Sequence, residues 1–140
     1  MQVSLTLPTK AQILSGGFQV HTAPFGKSWK KEQLGAYADL KGVYIHHCNG
    51  KILYVGKATT GKHGIFGERL RREFQEKASN KSELYKLLHK QKKPIFAYCL
   101  DYEDLDMLVD PGSMSLSTER KALIMEQVLI GIYEPAGNKS

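Results

Sequence analysis

The sequence is poor in cysteine and tryptophan, and it contains no long apolar run. Its 140 residues include two cysteines and one tryptophan. Two cysteines as distant as Cys48 and Cys99 provide neither a disulfide framework nor a zinc site, so we expect buried, reduced thiols in a cytoplasmic protein. No apolar stretch approaches the roughly 20 residues that cross a bilayer, which argues against a membrane protein. Residues 1–16 also lack the charged start and long apolar stretch of a secretion signal.

Positive charge is what the composition has in excess. The formal net charge is +6 and the isoelectric point about 9.3, which favours a polyanionic partner, nucleic acid first. The hydrophobic fraction of 41% and the chain length suit one domain with a real core. We therefore expect a single domain over residues 1–140, with an N-terminal arm over 1–40 and a core over 41–140.

The core begins with a predicted β-hairpin. Residues 42–56 form two β-rich runs around Asn49-Gly50, a strong hairpin signal. A three-residue loop over 48–50 would place Tyr44 opposite Tyr54 and would collect four aliphatic residues on the other face, which suits a one-sided core. We therefore predict that register rather than a two-residue turn, and we expect His46 to lie on the tyrosine side. The four aliphatic residues are Val43, Ile45, Leu53 and Val55.

The remaining elements follow from periodicity and capping signals. The arm should hold short helices near 9–15 and 28–38. The core should continue with helices over 68–78 and 83–91, a strand over 94–100, a solvated acidic connection over 101–116, and a largely buried helix over 119–133. Ser117 or Thr118 should cap that last helix. The order β-β-α-α-β-α predicts an α+β fold, with a small three-stranded, mainly antiparallel sheet flanked by helices.

Glu126 is a carboxylate inside the apolar last helix. Residues 122–130 are otherwise apolar except for Gln127. A carboxylate in such a setting is costly unless it is paired, protonated or bound to a metal. Composition alone leaves open a second interpretation, in which Glu126 is partly exposed on the one polar strip of the helix.

Five short motifs, in order, resemble the GIY-YIG nuclease superfamily. They are Gly42-Val43-Tyr44, Tyr54-Val55-Gly56, Lys57, the helix residue Arg69, and Glu126 with Asn138. The spacing between the two tyrosines, and that between the glutamate and the asparagine, match the nuclease domain of the bacterial excision-repair enzyme. The long glycine-rich link and the insert before the third strand look more like small stand-alone restriction enzymes or viral DNA-degrading endonucleases. The resemblance covers residues 42–138 and implies the same fold.

The resemblance implies a DNA endonuclease that hydrolyses phosphodiesters without a covalent intermediate. Glu126 would hold a single Mg²⁺ or Mn²⁺, with waters and a phosphate oxygen completing the coordination shell. Arg69 would bind the scissile phosphate and offset its developing charge. Asn138 would fix the loop after the last helix and orient nearby groups.

The tyrosine pair would supply the base. Tyr44 and Tyr54 would flank the attacking water, and either could serve as general base once its pKa is lowered. Lys57, three residues after Tyr54, would assist by its positive charge.

The chain departs from the pattern at Glu73. Many members carry tyrosine or histidine four residues after the arginine, where this chain has Glu73. Glu73 would then steady Arg69, while His46 or His63 would relay protons. The alternative is that Arg69 and Glu73 form an ordinary surface ion pair.

Basic residues around this core are the candidate DNA contacts. They are Lys27, Lys30, Lys31, Arg71, Arg72, Lys86, Lys90 and Lys93. One active site per chain makes a homo-oligomer attractive for double-strand cuts. Two rival functions stay open: a nucleic-acid-binding module on the same fold whose chemistry is impaired at Glu73, and a structural adaptor whose charge is incidental.

Overall fold

The computed structural model describes residues 2–21, 31–61, 64–74 and 83–139. Three residues predicted to act in the site or on DNA, Lys27, Lys30 and His63, lie outside the described residues, as does the second half of the helix predicted over 68–78. The side chain of Lys31 is also outside this description.

Helices and short strands alternate along the described chain. The strands are β1 (Ser4–Leu5), β2 (Phe18–His21), β3 (Gly42–Cys48), β4 (Lys51–Ala58), β5 (Ile95–Asp101) and β6 (Val109–Asp110). The α-helices are α1 (Lys10–Ser15), α2 (Phe66–Phe74), α3 (Glu83–His89), α4 (Tyr102–Leu108) and α5 (Thr118–Tyr133). Two 3-10 helices lie at Lys31–Asp39 and Ala136–Asn138.

The main sheet is antiparallel and has the strand order β2-β5-β3-β4. The predicted α+β fold with a small antiparallel sheet is therefore confirmed. The predicted number of strands is too low by one, because β2 of the arm pairs with β5 at Phe18 and Ala97. A strand of four residues beside Gly16-Gly17 carries too little periodicity to be recognised from sequence. Strands β1 and β6 form a separate two-stranded pair.

The hairpin register differs from the prediction. Cys48 pairs with Lys51, so the connection is the two-residue turn Asn49-Gly50, whose φ angles are 50° and 80°. Left-handed angles at both turn residues are what a type I′ hairpin requires, and asparagine followed by glycine tolerates them best. The three-residue loop is wrong because this turn already satisfies the twist of the strands.

A β-bulge then restores the expected faces. The register shifts between His46, which pairs with Tyr54, and His47, which pairs with Ile52, so Leu53 is an extra residue in β4. Tyr44 consequently pairs with Gly56 rather than with Tyr54. Leu53 packs on the tyrosine side and not with the other aliphatic residues.

The sheet separates two buried clusters. The tyrosine face, which carries Tyr44, His46 and Tyr54, packs against α2 and α3 through side chains such as Leu70 and Leu88. The aliphatic face is built on Val43, Ile45 and Val55. It packs against α5 through Ala122, Met125 and Leu129, which are fully buried. The two faces of one hairpin therefore have different chemistry at equal burial.

Helix α5 is amphipathic, although we predicted that it would be largely buried. Its N-cap is Ser117, as expected, and the Ser117 hydroxyl accepts the Arg120 backbone N–H at 3.2 Å. Leu123 and Ile132 are exposed on the face opposite the core. The Gly131-Ile132-Tyr133 triplet lies in the last turn of this helix, where Tyr133 packs against the aliphatic cluster.

Residues 101–116 do not form the solvated connection that we predicted. Asp101 caps α4, and Asp101 and Asp104 each accept the other's backbone N–H at 2.9 and 3.0 Å. Leu105 and Val109 are fully buried in the aliphatic cluster. The acidic residues concealed this helix, because they cap it and cover its outer face.

The two cysteines are unpaired, as expected: Cys48 is buried and Cys99 is half-buried. Burial raises the pKa of both thiols, which makes them poor nucleophiles. Within the described residues, no helix is long and apolar enough to cross a membrane.

Candidate active site

The two tyrosines meet on the tyrosine face. The ring centroids of Tyr44 and Tyr54 are 6.1 Å apart, and that of His46 is 5.4 Å from Tyr44 and 6.1 Å from Tyr54. Phe66 of α2 packs edge-on against Tyr44 at 6.3 Å. Only 1% of Tyr44 is exposed, whereas Tyr54 is half-buried and reaches the surface. The predicted tyrosine pair is thus brought together, with one buried member and one accessible member.

Gly56 makes room for this pair. A Cβ atom at Gly56 would lie 2.6 Å from the Tyr44 hydroxyl oxygen and 2.7 Å from Cε2 of Tyr54. Both distances are well inside van der Waals contact, so only glycine allows both rings to approach this part of β4. The glycine of the Tyr-Val-Gly motif therefore has a steric function that our sequence reasoning did not assign.

Glu73 is the centre of a buried hydrogen-bond network. The Tyr44 hydroxyl donates to Glu73 Oε2, and Nε2 of His46 lies 2.8 Å from Glu73 Oε1. His46 is fully buried and Glu73 is 9% exposed. Glu73 therefore forms no surface ion pair with Arg69, and both of its oxygens are occupied by residues of β3. Sequence reasoning named Glu73 and His46 separately, but their separation of 27 positions along the chain hid their contact.

Arg69 lies beside the tyrosines on α2 without a carboxylate partner in the described chain. Its Nε is buried and makes no hydrogen bond within the described residues. Its positive charge lowers the pKa of both Tyr44 and Tyr54. A buried guanidinium nitrogen with no protein partner is suited to an anionic ligand such as a phosphate.

The pKa values of the tyrosines are raised, not lowered as predicted. Burial raises the pKa of Tyr44 well above its ordinary value of 10, and the charge of Glu73 adds to the shift. Burial likewise raises the pKa of Tyr54 to about 12, with further contributions from Glu73 and Glu126. Neither phenol is therefore ready to ionise alone at neutral pH.

Lys57 does not join this cluster. Lys57 pairs with Val43, whereas its neighbour Gly56 pairs with Tyr44. Successive residues of a strand point to opposite faces, so Lys57 projects from the aliphatic face. It lines a separate cleft of about 410 Å³ together with Ser117, Glu119 and Arg120 at the start of α5. Arg69, and not Lys57, is the cation that acts on the tyrosines.

Glu126 is half-buried on α5. Its charge raises the pKa of Tyr54, which places it within electrostatic range of the accessible tyrosine. Its Oε1 accepts a hydrogen bond from Gln127 Nε2 at 3.3 Å. Glu126 therefore acts on Tyr54 through its charge, from a helix that packs on the aliphatic face of the sheet.

Asn138 binds β4 in the manner of a neighbouring strand. Its Nδ2 donates to the Val55 carbonyl at 2.8 Å, and its Oδ1 accepts the Val55 N–H at 2.8 Å. Strand β4 is at the edge of the sheet, so these two bonds occupy backbone groups that have no strand partner on that side. The loop after α5 is thereby fixed next to Tyr54, in the position that the resemblance implied.

The remaining predicted residues lie outside the tyrosine cluster. Arg71 binds Glu68 on the same helix at 3.0 Å, and Arg72 is exposed. On α3, Lys86 forms an exposed pair with Glu83 at 3.4 Å, and Lys90 and Lys93 are exposed after the helix. These basic residues are accessible to a polyanion.

The donor set fits a hydrated magnesium ion better than a closed metal cage. Within the described residues, no three histidine, cysteine, aspartate or glutamate side chains cluster in a way that could hold a metal. The oxygens of Glu73 are taken by Tyr44 and His46, which leaves Glu126 as the accessible carboxylate. Mg²⁺ binds through one or two carboxylates and retains its waters or substrate oxygens, so a single glutamate is sufficient.

Two solved structures share this arrangement of strands and helices. Both are crystal structures of the GIY-YIG N-terminal endonuclease domain of UvrC from Thermotoga maritima, each a tyrosine-to-phenylalanine point mutant bound to its catalytic divalent cation. Each gives a TM-score of 0.50 and covers 79% of this chain and 94% of that chain, at 19% and 20% sequence identity. No family model and no curated protein matches the sequence. The chain therefore has the α+β fold of a GIY-YIG endonuclease domain.

Proposed function

We propose that this protein is a divalent-metal-dependent DNA endonuclease that hydrolyses phosphodiester bonds. The observation that carries the proposal is that Arg69, whose buried Nε has no hydrogen-bond partner within the described residues, acts by its charge on the paired phenols of Tyr44 and Tyr54. The nuclease fold and the net charge of +6 support it. The glycine-rich link after the hairpin and the insert before β5 favour an enzyme of restriction, repair or phage DNA-degradation type.

Each residue has a role that follows from its position. Arg69 binds the scissile phosphate through its guanidinium, whose Nε has no hydrogen-bond partner in the described part of the chain. Tyr54 faces solvent and positions the attacking water, with Tyr44 behind it. Asn138 holds β4, and therefore Tyr54, in register with α5. Glu126 would hold the metal, which when bound supplies Lewis-acid stabilisation of the phosphate and of the leaving oxygen.

Plasmid cleavage tests the proposal. Supercoiled plasmid is incubated with the protein and Mg²⁺ or Mn²⁺, in parallel with Glu126→Gln and with Glu134→Gln, an exposed glutamate at the end of the same helix. We expect nicking or cutting by the wild type and by Glu134→Gln, and a loss of at least about 100-fold in Glu126→Gln. If the wild type cuts none of a broad set of plasmid and genomic DNAs with either metal, the proposal is wrong.

A second candidate is a nucleic-acid-binding module on the same fold. The observation that favours it is Glu73, which stands where the resemblance expects tyrosine or histidine. It predicts salt-sensitive DNA binding that Glu126→Ala leaves intact, without cleavage under any metal. The plasmid assay, combined with a gel shift on the same protein preparation, separates the two functions.

A further inference from the structure

Glu73 is a buried carboxylate with two specific partners and no assigned task. One oxygen accepts the Tyr44 hydroxyl, and the other lies 2.8 Å from His46 Nε2. Burying a carboxylate is costly even when it is hydrogen-bonded, and apolar packing would serve stability as well. Phe66, Leu70 and Phe74 provide such packing on the same helix. The position of Glu73 therefore calls for a chemical explanation.

Among the described residues, Glu73 is the carboxylate that accepts a hydrogen bond from the tyrosine pair. Tyr44 is 1% exposed, so the water nearest to the phosphate meets the half-buried Tyr54 first. A Cβ atom added to Gly56 would lie 2.6 Å from the Tyr44 hydroxyl oxygen and 2.7 Å from Cε2 of Tyr54. The two phenols therefore meet above this glycine. Burial keeps both phenols protonated. A protonated phenol can take a proton from water only if it transfers its own proton to another group.

We propose that Glu73 is the terminal proton acceptor of the hydrolytic site, receiving the proton of Tyr44, and that His46 is the positioning residue that holds its carboxylate. This inference rests on the proposed function. Under this proposal Glu73 takes part in the reaction. The alternative is that a glutamate in place of the tyrosine or histidine that the resemblance expects has impaired catalysis.

The proton transfers balance as follows. As the water oxygen forms its bond to phosphorus, a water proton passes to the Tyr54 oxygen, the Tyr54 proton passes to Tyr44, and the Tyr44 proton passes to Glu73 Oε2. The bond from phosphorus to the leaving oxygen breaks, and that oxygen takes a proton from solvent. After product release the chain runs in reverse and returns the Glu73 proton to solvent through Tyr54.

His46 fits the task of a positioning residue. Its Nε2 faces Glu73, so a proton on that nitrogen donates to the carboxylate, while its buried Nδ1 has no hydrogen-bond partner within the described residues. The ring is confined by Phe74 at 5.5 Å and by the two tyrosines. The carboxylate is therefore held on Tyr44 and His46, and Arg69 is left to bind phosphate.

Single-turnover DNA cleavage as a function of pH tests the acceptor role. Glu73→Gln preserves the shape and can still bond Tyr44, but it cannot take a proton. We expect it to lose about 100-fold or more in rate at neutral pH with unchanged DNA affinity, since general-base assistance contributes on that order. Its rate should then rise about tenfold per pH unit as solvent hydroxide replaces the chain of hydroxyls. Glu73→Asp, which keeps a carboxylate, should retain more activity than Glu73→Gln.

A spectroscopic readout needs neither metal nor DNA. Tyrosinate absorbance is titrated in the wild type and in Glu73→Gln, each against the same protein carrying Tyr44→Phe, so that the difference reports Tyr44. We expect the pKa of Tyr44 to be lower in Glu73→Gln, because the charge that raises it is gone. The other ionisable groups near Tyr44 and Glu73 are Tyr54 on β4, Arg69 on α2 and Glu126 on α5. His89 of α3 lies on the other side of Phe74. All of these groups are the same in both proteins.

The outcomes are separable. Cleavage by Glu73→Gln within about threefold of the wild type, with the same pH profile, overturns the acceptor role while leaving the nuclease intact. A wild type that cuts no DNA overturns both, and the titration then still reports whether Glu73 contacts Tyr44. If Glu73→Gln does not fold, the His46 variants decide: His46→Gln, which retains a donor, should exceed His46→Leu in rate, and equal rates overturn the proposal.

Discussion

The two faces of the β3–β4 hairpin differ in chemistry although both are buried. On the aliphatic face, Val43, Ile45 and Val55 are completely buried and pack in an apolar cluster with α5. On the tyrosine face, Tyr44 and His46 are equally buried but carry hydroxyl and imidazole groups that converge on Glu73. The same strand therefore contributes to stability through one set of side chains and positions the candidate site through the other.

This difference shows why burial alone does not identify a functional residue. Apolar burial contributes roughly 25 cal/mol per Å², so the aliphatic face stabilises the fold with no further requirement. Polar groups at the same depth must be hydrogen-bonded to avoid a desolvation cost. We therefore expect substitutions on the tyrosine face to reduce activity more than stability, and substitutions on the aliphatic face to do the reverse.

Tyr44→Phe should produce the largest functional effect. It removes one hydroxyl from the tyrosine face, and we expect single-turnover cleavage to fall by about 10² to 10⁴, the range of general-base contributions. Tyr133→Phe, on the opposite cluster, is the matched control and should cut at the wild-type rate. Equal rates for the two variants would remove the functional distinction between the faces.

Ile45→Ala should produce the largest loss of stability. Ile45 is completely buried on the aliphatic face, and its truncation should lower the free energy of unfolding by about 2–5 kcal/mol. Ile132→Ala, at an exposed position of α5, should change it by less than about 0.5 kcal/mol. Urea unfolding measures both. Cleavage by folded Ile45→Ala that falls as far as in Tyr44→Phe would contradict the assignment of the faces.

Gly56→Ala should affect both properties. Its methyl group would lie 2.6 Å from the Tyr44 hydroxyl oxygen, so the tyrosines must move, at a cost of about 1–3 kcal/mol in stability. Cleavage should fall with it because the pair is displaced. Gly131→Ala, in open space on α5, is the control and should stabilise the fold by about 0.5–1 kcal/mol through helix propensity. Thermal unfolding measures the stability of both variants, and DNA cleavage at one temperature measures their activity.

Asn138→Ala should have a smaller effect, on the edge strand between the faces. It removes both bonds to Val55 and leaves the N–H and C=O of this buried residue without their side-chain partner, for a loss of about 1–2 kcal/mol. Hydrogen exchange at the Val55 amide should become faster, while amides in β3 are unchanged. Unaltered exchange at Val55 would show that the loop after α5 does not hold the strand.

Lys86→Ala should have the smallest effect, since it lies outside both faces. Its exposed pair with Glu83 contributes at most about 0.5 kcal/mol. If α3 contacts DNA, the slope of log affinity against log salt should fall by about one unit. Lys10→Ala, on the arm helix, is the control, and equal slopes for the two variants would exclude α3 from the DNA surface.

Much of the fold and part of the site could be predicted from short-range patterns. The stripes of Leu70 with Phe74 and of Leu84, Leu87 and Leu88 identified α2 and α3, and their burial is confirmed. The hidden helix α4 was missed because its acidic residues, which cap and cover it, resemble a solvated connection. The bulge at Leu53 was missed because an extra residue in β4 and a longer turn both place Tyr44 and Tyr54 on the same face. The alternation of side chains along the strands does not distinguish the two arrangements.

The sequence by itself determined the hairpin strands, β5 and the helices α2, α3 and α5. It also determined the shared face of Tyr44 and Tyr54 and the separation of Glu126 from Asn138 along the chain. These are local properties, set by side-chain periodicity and capping within a few residues. Only the tertiary structure decided that Glu73 binds Tyr44 and His46, that Asn138 binds Val55, and that Lys57 faces away from the tyrosines. Those contacts join residues 27, 29 and 83 positions apart, or depend on a strand's face. They follow from how helices dock on the sheet, which no local pattern encodes.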